Sequence, residues 1–132
     1  MKETFTYREI QEALPAAQGL GQLNAPQKTA YRLARIIEKL KSAGKEVGKA
    51  QLELYKKYGH EKTPGKGDWN IADDKLVEFI PVMDKLMDES TVEIEYMPVA
   101  CNMFTAMPAS TIVAMGRFMI EQELIIEPTK FQ

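Results

Sequence analysis

The sequence predicts a small α+β protein that is mostly helical, with a long antiparallel helical hairpin, a small two-stranded antiparallel sheet and a C-terminal helix. Apolar residues recur at spacings of three and four through residues 25–58, which is typical of a long amphipathic helix. A shorter stretch with the same spacing follows at residues 73–89. Residues 2–8 and 91–97 alternate between two faces, and this alternation indicates strands with one solvated side.

Asn24-Ala25-Pro26 is predicted to start the long helix, since asparagine accepts hydrogen bonds at an N-cap and proline is tolerated in the first turn. Its apolar stripe follows a heptad and, at about 1.5 Å per residue, is roughly 40 Å long. The second helix is about half as long, so it cannot cover the whole stripe. We therefore predict an interface with another subunit or a partner protein. The predicted interface residues are Leu33, Ile37, Leu40, Gly44, Val47, Leu54 and Tyr58.

Two features interrupt the helical pattern. Residues 9–18 have helical spacing but contain Pro15, which would kink a helix or mark its first turn. Gly44 and Gly48 lie four residues apart in the long helix, where each costs about 1 kcal/mol relative to alanine. The glycines mark either a close contact with another helix or a break, and the sequence leaves both interpretations open.

All 132 residues fit a single domain. The helical hairpin is predicted at about residues 25–89, with a glycine- and proline-rich loop at 60–71. The strands at about 2–8 and 91–97 are predicted to pair, because a lone strand leaves its backbone groups unsatisfied. A C-terminal helix is predicted at about residues 109–123.

Charge is distributed unevenly along the chain, although the formal net charge is only −2. Residues 1–71 hold 13 Lys and Arg against 8 Asp and Glu, a net +5, and residues 72–132 hold 4 against 11, a net −7. Such asymmetry can orient two arms of a fold, or two subunits, against each other. No stretch approaches 18 apolar residues and the N-terminus lacks a signal-peptide core, so no membrane association is predicted. The single cysteine, Cys101, favours a reducing compartment.

We predict no catalytic residue, no cofactor and no metal site, and therefore no enzymatic activity. His60 is the only histidine, and one Cys with one His excludes a Cys/His zinc site within one chain. Residues 64–68, PGKGD, lack the spacing of a phosphate-binding P-loop and do not follow a strand. The acidic pairs are typical of a solvated face, because Ca²⁺ requires six or more oxygens in a compact loop.

Basic residues form a stripe on one face of the long helix, at spacings of four, three and four. Between Lys28 and Lys66 there are 11 basic and 4 acidic residues. Such a stripe can bind an anion or follow a phosphate backbone, although few aromatic residues accompany it. A solvated face, partly neutralised by the acidic second helix, is the alternative interpretation. The candidate anion-binding residues are Lys28, Arg32, Arg35 and Lys39.

The order of several segments resembles a group of small uncharacterised tailed-bacteriophage proteins. The segments are REIQEALPA at 8–16, AYRLAR at 30–35, YKKYG at 55–59, VEIE at 92–95 and PAS at 108–110. The resemblance covers roughly residues 1–96, and the methionine-rich segment that follows departs from it. It implies a viral origin, a location in the host cytoplasm or the virion, and a structural, assembly or host-directed binding role. No functional residue is carried over.

We therefore expect a non-enzymatic phage accessory protein that acts through protein–protein contacts, in virion structure or assembly. Its partner would be a second copy of the chain, another phage protein or a host protein. One alternative is a phage-encoded inhibitor that binds a host defence factor or sequesters a nucleotide signal in a basic pocket. A further alternative is a nucleic-acid-binding protein that uses the basic stripe, with steeply salt-dependent affinity.

Overall fold

A computed structural model of the chain describes residues 2–62, 65–104 and 106–121. In these ranges, four helices and three pairs of short strands confirm the predicted α+β fold. In chain order the elements are β1 (Lys2–Thr6), α1 (Tyr7–Leu20), α2 (Gln27–Tyr58), β2 (His60–Glu61), β3 (Trp69–Asn70), α3 (Asp73–Glu89), β4 (Thr91–Glu95), β5 (Val99–Ala100), α4 (Ala109–Met115) and β6 (Met119–Ile120), with 3₁₀ turns at Cys101–Met103 and Gly116–Phe118.

The predicted pairing of the first strand with the strand near residue 91 is confirmed. β1 and β4 are antiparallel, with Phe5 opposite Val92. β1 is shorter than predicted, because Thr6 caps the following helix. The Thr6 hydroxyl accepts from the Glu9 backbone N–H at 3.1 Å, and the Glu9 carboxylate accepts from the Thr6 N–H at 2.9 Å. This capping box ends the strand and starts α1 at Tyr7.

Helix α2 is continuous over 32 residues and passes through both glycines. A Cβ added at Gly48 would have no atom within 4 Å, and one added at Gly44 would lie 3.6 Å from Leu14 Cδ2, an ordinary contact. The break, one of the two alternatives that the sequence left open, is therefore absent, and neither position needs a glycine for close helix approach.

Replacing Gly48 by alanine should raise the free energy of unfolding by about 0.5–1 kcal/mol, because alanine loses less backbone entropy in a helix. Urea denaturation measures this change. The matched control is Gly116→Ala, at a position with φ of +51°. There an L side chain is strained, so the control should cost about 1 kcal/mol or more. A loss of stability in Gly48→Ala would contradict the conclusion that the alanine side chain has room at this position.

Helix α1 packs along the middle of α2 and runs antiparallel to it. Leu14 contacts Gly44, Gly21 lies against Ile37, and the Tyr7 hydroxyl donates to Glu46 at 3.3 Å. Pro15 lies inside this 14-residue helix rather than ending it. The segment in which Pro15 indicated a kink or a first turn is thus one of the helices that pack on the apolar stripe.

Helix α3 covers the second half of α2, which forms the predicted helical hairpin. The Phe79 ring lies 5.4 Å from the Tyr55 ring and 5.8 Å from the Tyr58 ring. Further along, the Gln51 side chain donates to Met87 Sδ at 3.4 Å. Trp69 of β3 stacks on Tyr55 at 6.1 Å, so it fastens the connecting hairpin to α2.

These two helices cover part of the predicted interface within the chain itself. Leu33, Leu40 and Val47 are buried in the chain's own core, so they are not available to a partner in this conformation. The other four predicted interface residues, Ile37, Gly44, Leu54 and Tyr58, are half-buried. The buried positions of α2 are Thr29, Leu33, Ile36, Leu40, Ala43 and Val47.

The C-terminal helix is shorter than the predicted 109–123. Helix α4 ends at Met115, because Gly116 has φ of +51° and ψ of −124°, which stops the helix. A 3₁₀ turn and β6 follow, and β6 pairs with β5 in parallel. Residues 122–123 of the predicted helix lie outside the described residues.

An aromatic cluster joins the C-terminal segment to the β1–β4 sheet. Phe5 stacks on Phe118 with ring centroids 4.3 Å apart, and Tyr96 contacts both rings. The Arg117 guanidinium lies 4.2 Å from the Phe5 ring centroid and donates to the Thr4 carbonyl oxygen at 2.7 Å. The network fastens the segment after α4 onto β1.

Candidate functional site

A groove of about 240 Å³ lies between the first half of α2 and the end of β4. We call it the α2–β4 groove. Arg32, Arg35 and Lys39 line it, since their helical spacing places them on one face. The fourth predicted residue, Lys28, lines an adjoining depression that shares Arg32 with the groove. The structure thus brings all four predicted basic residues to one surface, and their binding of an anion stays a prediction.

Two exposed apolar side chains lie among these cations. Tyr31 is 67% exposed and Met97 is 54% exposed, and both line the groove as well as the adjoining depression. Beneath them, the buried residues Ile36 and Tyr96 contribute to the lining. The surface therefore combines positive charge with apolar contact area above a buried base.

The floor of the groove is uncharged at neutral pH. Burial of the Tyr96 phenol, together with its hydrogen bond to Glu3 at 2.9 Å, raises the pKa of Tyr96 to about 12. The Arg117 carbonyl oxygen lies 3.1 Å from the same hydroxyl. These partners hold the ring in place.

Acidic residues limit the extent of the positive surface. Glu95 lines the groove itself, and Glu93 and Glu46 line the next depression along β4. On α2, Glu38 forms an exposed ion pair with Arg35 at 3.5 Å. Exposed pairs of this kind contribute about 0–1 kcal/mol, so Arg35 can exchange partners at little cost. The positive face is therefore short and bounded.

Lys39 joins the two walls of the groove. Its ammonium donates a hydrogen bond to the Glu95 backbone carbonyl at the end of β4. This contact ties α2 to the strand and sets the distance between the helix and Met97, which follows two residues later. Lys39 therefore has a structural role in addition to its charge.

The other residues considered for chemistry do not converge on a site. His60 is exposed in β2, and Cys101 is half-buried with its Sγ 4.0 Å from Met107 Sδ. Among the described residues, no group of three or more His, Cys, Asp or Glu side chains could hold a metal ion. The groove is thus the best-defined candidate site in that part of the chain.

Sequence reasoning missed the apolar half of the groove. Tyr31 lies three residues after Lys28 and four before Arg35, so its helical spacing already placed it on the basic face. Met97 carried no such signal, because it reaches the groove only through the packing of β4 against α2.

Comparison of the chain with protein-family models, with curated proteins and with solved structures finds no match. In the described ranges, no helix is both long and apolar enough to cross a membrane.

Proposed function

We propose that this chain is a non-enzymatic accessory protein that acts by binding another protein, and that the α2–β4 groove is its binding surface. The observation that supports this function is the exposure of Tyr31 and Met97 beside Arg32 and Arg35. Aromatic residues, methionine and arginine are enriched at protein interfaces, and tyrosine and arginine among the residues that dominate binding energy. The expected partner is a segment that is acidic and carries apolar side chains.

A role in the structure or assembly of a phage particle is the finer form of this proposal. The resemblance of residues 1–96 to small tailed-bacteriophage proteins supports it. Small accessory proteins of this kind act by contact with other proteins, which agrees with a bounded groove of mixed character. The host cytoplasm and the virion are the corresponding locations.

A nucleic-acid-binding function is less well supported by the same geometry. The stripe from Lys28 to Lys39 spans about 16 Å at 1.5 Å per residue, so it meets only a few phosphates. Glu93 and Glu95 lie at the end of the stripe and would repel a phosphate backbone of nucleic acid that continued along it. In sequestration of a nucleotide, Tyr31 would stack on the base and Arg35 would bind the phosphates. Comparison of a nucleotide probe with a peptide probe separates this function from protein binding.

Fluorescence anisotropy with three probes tests the proposal. The probes are a labelled acidic peptide that carries leucines, a single-stranded oligonucleotide of equal charge, and a labelled nucleoside triphosphate. The acidic peptide should bind best, and Tyr31→Ala or Arg35→Glu should weaken it about tenfold, as expected for central interface residues. Lys41→Glu, an equal charge change at an exposed α2 position outside the groove, is the matched control and should have little effect.

The other outcomes assign the groove differently. Tighter binding of the oligonucleotide, with an affinity that falls steeply with salt, would favour the nucleic-acid alternative. Preferential binding of the triphosphate, lost in Arg35→Glu, would favour nucleotide sequestration. Equal weakening by Lys41→Glu would show that net charge, and not the groove, governs binding.

A further inference from the structure

We propose that the partner of the α2–β4 groove is a second copy of this chain, whose acidic helix α3 docks in the groove so that copies join head to tail. This inference rests on the proposed function of the groove as a protein-binding surface. It identifies the partner from the chemistry of a second exposed face of the same molecule.

The second face lies on the outer side of α3. Val77 is 75% exposed and Ile80 is 54% exposed, although both are large apolar residues. Asp73 and Asp84 extend the same stripe, because the spacings of four, three and four place these residues on one side of the helix. We call this set, Asp73, Val77, Ile80 and Asp84, the α3 face.

The charge of α3 complements the charge of the groove. Helix α3 holds six acidic residues against two lysines. Asp84 already pairs with Arg8 at 3.3 Å, so Asp73 and its neighbour Asp74, both exposed, supply negative charge at the start of the α3 face. Complementary charge favours association and fixes its register.

The apolar parts of the two surfaces also correspond. The groove presents Tyr31 and Met97 among cations, and the α3 face presents Val77 and Ile80 beside carboxylates. The basic stripe and the α3 face have the same residue spacing, so a helix laid along the groove can set its charges opposite the arginines while its apolar residues contact Tyr31. Burial of these side chains removes apolar surface from water, which favours the contact.

The two surfaces cannot meet within one molecule. The α3 face lies beside Phe79, which contacts Tyr55 and Tyr58 near the end of α2. The groove is centred near Arg35, which is 20 residues earlier along the same continuous helix, or about 30 Å. A contact between groove and α3 face therefore joins different copies, and the head-to-tail arrangement makes it heterologous. Contacts of that type leave one free surface at each end and produce a ring or an open chain of copies.

Mixing two variants tests this geometry. The groove variant carries Tyr31→Ala and Arg35→Glu, and the face variant carries Val77→Lys and Ile80→Lys. All four positions are exposed, so the changes leave the core intact. Sedimentation velocity, with circular dichroism to verify folding, should show that the unmodified chain assembles beyond a dimer as its concentration rises and dissociates in high salt. Each variant alone should be a monomer, and the equimolar mixture should form a one-to-one dimer and nothing larger.

Val113→Lys is the matched control for the face variant. Val113 is an exposed apolar residue on α4. Its replacement by lysine therefore introduces a positive charge on the surface away from the α3 face. Its assembly should equal that of the unmodified chain. Dimers that persist in both single variants, or a mixture that stays monomeric although both variants are folded, would overturn the head-to-tail contact.

The acidic peptide distinguishes failure of this inference from failure of the proposed function. An unmodified chain that stays monomeric at high concentration, and yet binds the peptide through Tyr31 and Arg35, would overturn self-assembly and keep the groove as a site for another protein. A chain that neither assembles nor binds the peptide would overturn both proposals.

Discussion

Replacing Leu40 by alanine is expected to lower the free energy of unfolding by about 2–5 kcal/mol. The Leu40 side chain is 0% exposed and lies in the core that α1 and α2 form together. Its truncation removes apolar burial and leaves a cavity that the surrounding helices fill only in part. A domain of this size has a total stability on the order of 5–15 kcal/mol, so the loss is a large share of it.

Thermal and urea denaturation measure this effect, and the melting temperature should fall by roughly 10 °C. Leu52→Ala provides the control, because Leu52 lies on the exposed side of the same helix. Leu40→Asp should prevent folding, since an unpaired carboxylate would have to be buried. If Leu40→Ala left the stability unchanged but altered the mass of the protein in solution, Leu40 would belong to an interface between subunits and not to the core.

The phase of the long helix shows how far the sequence determines the fold. The predicted and observed stripes both repeat at three and four residues, and they share Leu33, Leu40 and Val47. Elsewhere they differ by one residue, because Ile36 and Ile37 are equally apolar and both phases satisfy the pattern. Only the tertiary packing around α2, which buries Ile36 and leaves Ile37 half-buried, decides between them. That information is non-local.

Pro15 explains why the sequence did not indicate α1 as a helix that covers part of the stripe. A proline inside a helix removes one hydrogen bond and was therefore interpreted as a kink or a first turn. In α1 both Pro15 and Gln11, whose carbonyl loses its partner, are exposed, so water can satisfy that oxygen. The cost is small enough for tertiary packing to outweigh it. Once α1 is complete, the middle of α2 has a partner helix within the chain.

The candidate site was predictable to the extent that it is local. The basic stripe follows from spacing along one helix, and Tyr31 belongs to the same spacing. Met97 and the floor residue Tyr96 come from the segment after β4, which joins α2 only in the folded chain. A groove needs both walls, and the second wall depends on contacts between residues that are distant in sequence.

Tyr96→Phe is expected to change how the stability of the protein depends on alkaline pH. Burial, the larger cause, and the hydrogen bond to Glu3 together raise the pKa of Tyr96 from 10.0 to about 12. Below pH 10 the phenol is protonated in both the folded and the unfolded chain, and its contribution to stability is fully present. Between pH 10 and about 12 only the unfolded chain releases the proton, so the free energy of unfolding falls by about 1.4 kcal/mol per pH unit.

The unmodified protein should therefore lose about 2–3 kcal/mol across this range through Tyr96 alone. Tyr96→Phe cannot lose it, although the variant is less stable near pH 8 because the hydrogen bond to Glu3 is gone. Urea denaturation from pH 8 to 11.5 should show the two stability curves converging above pH 10. Tyr31→Phe removes a phenol at an exposed position and serves as the control. Curves for Tyr96→Phe and the unmodified protein that stay parallel would mean that the phenol of Tyr96 reaches solvent in the folded protein.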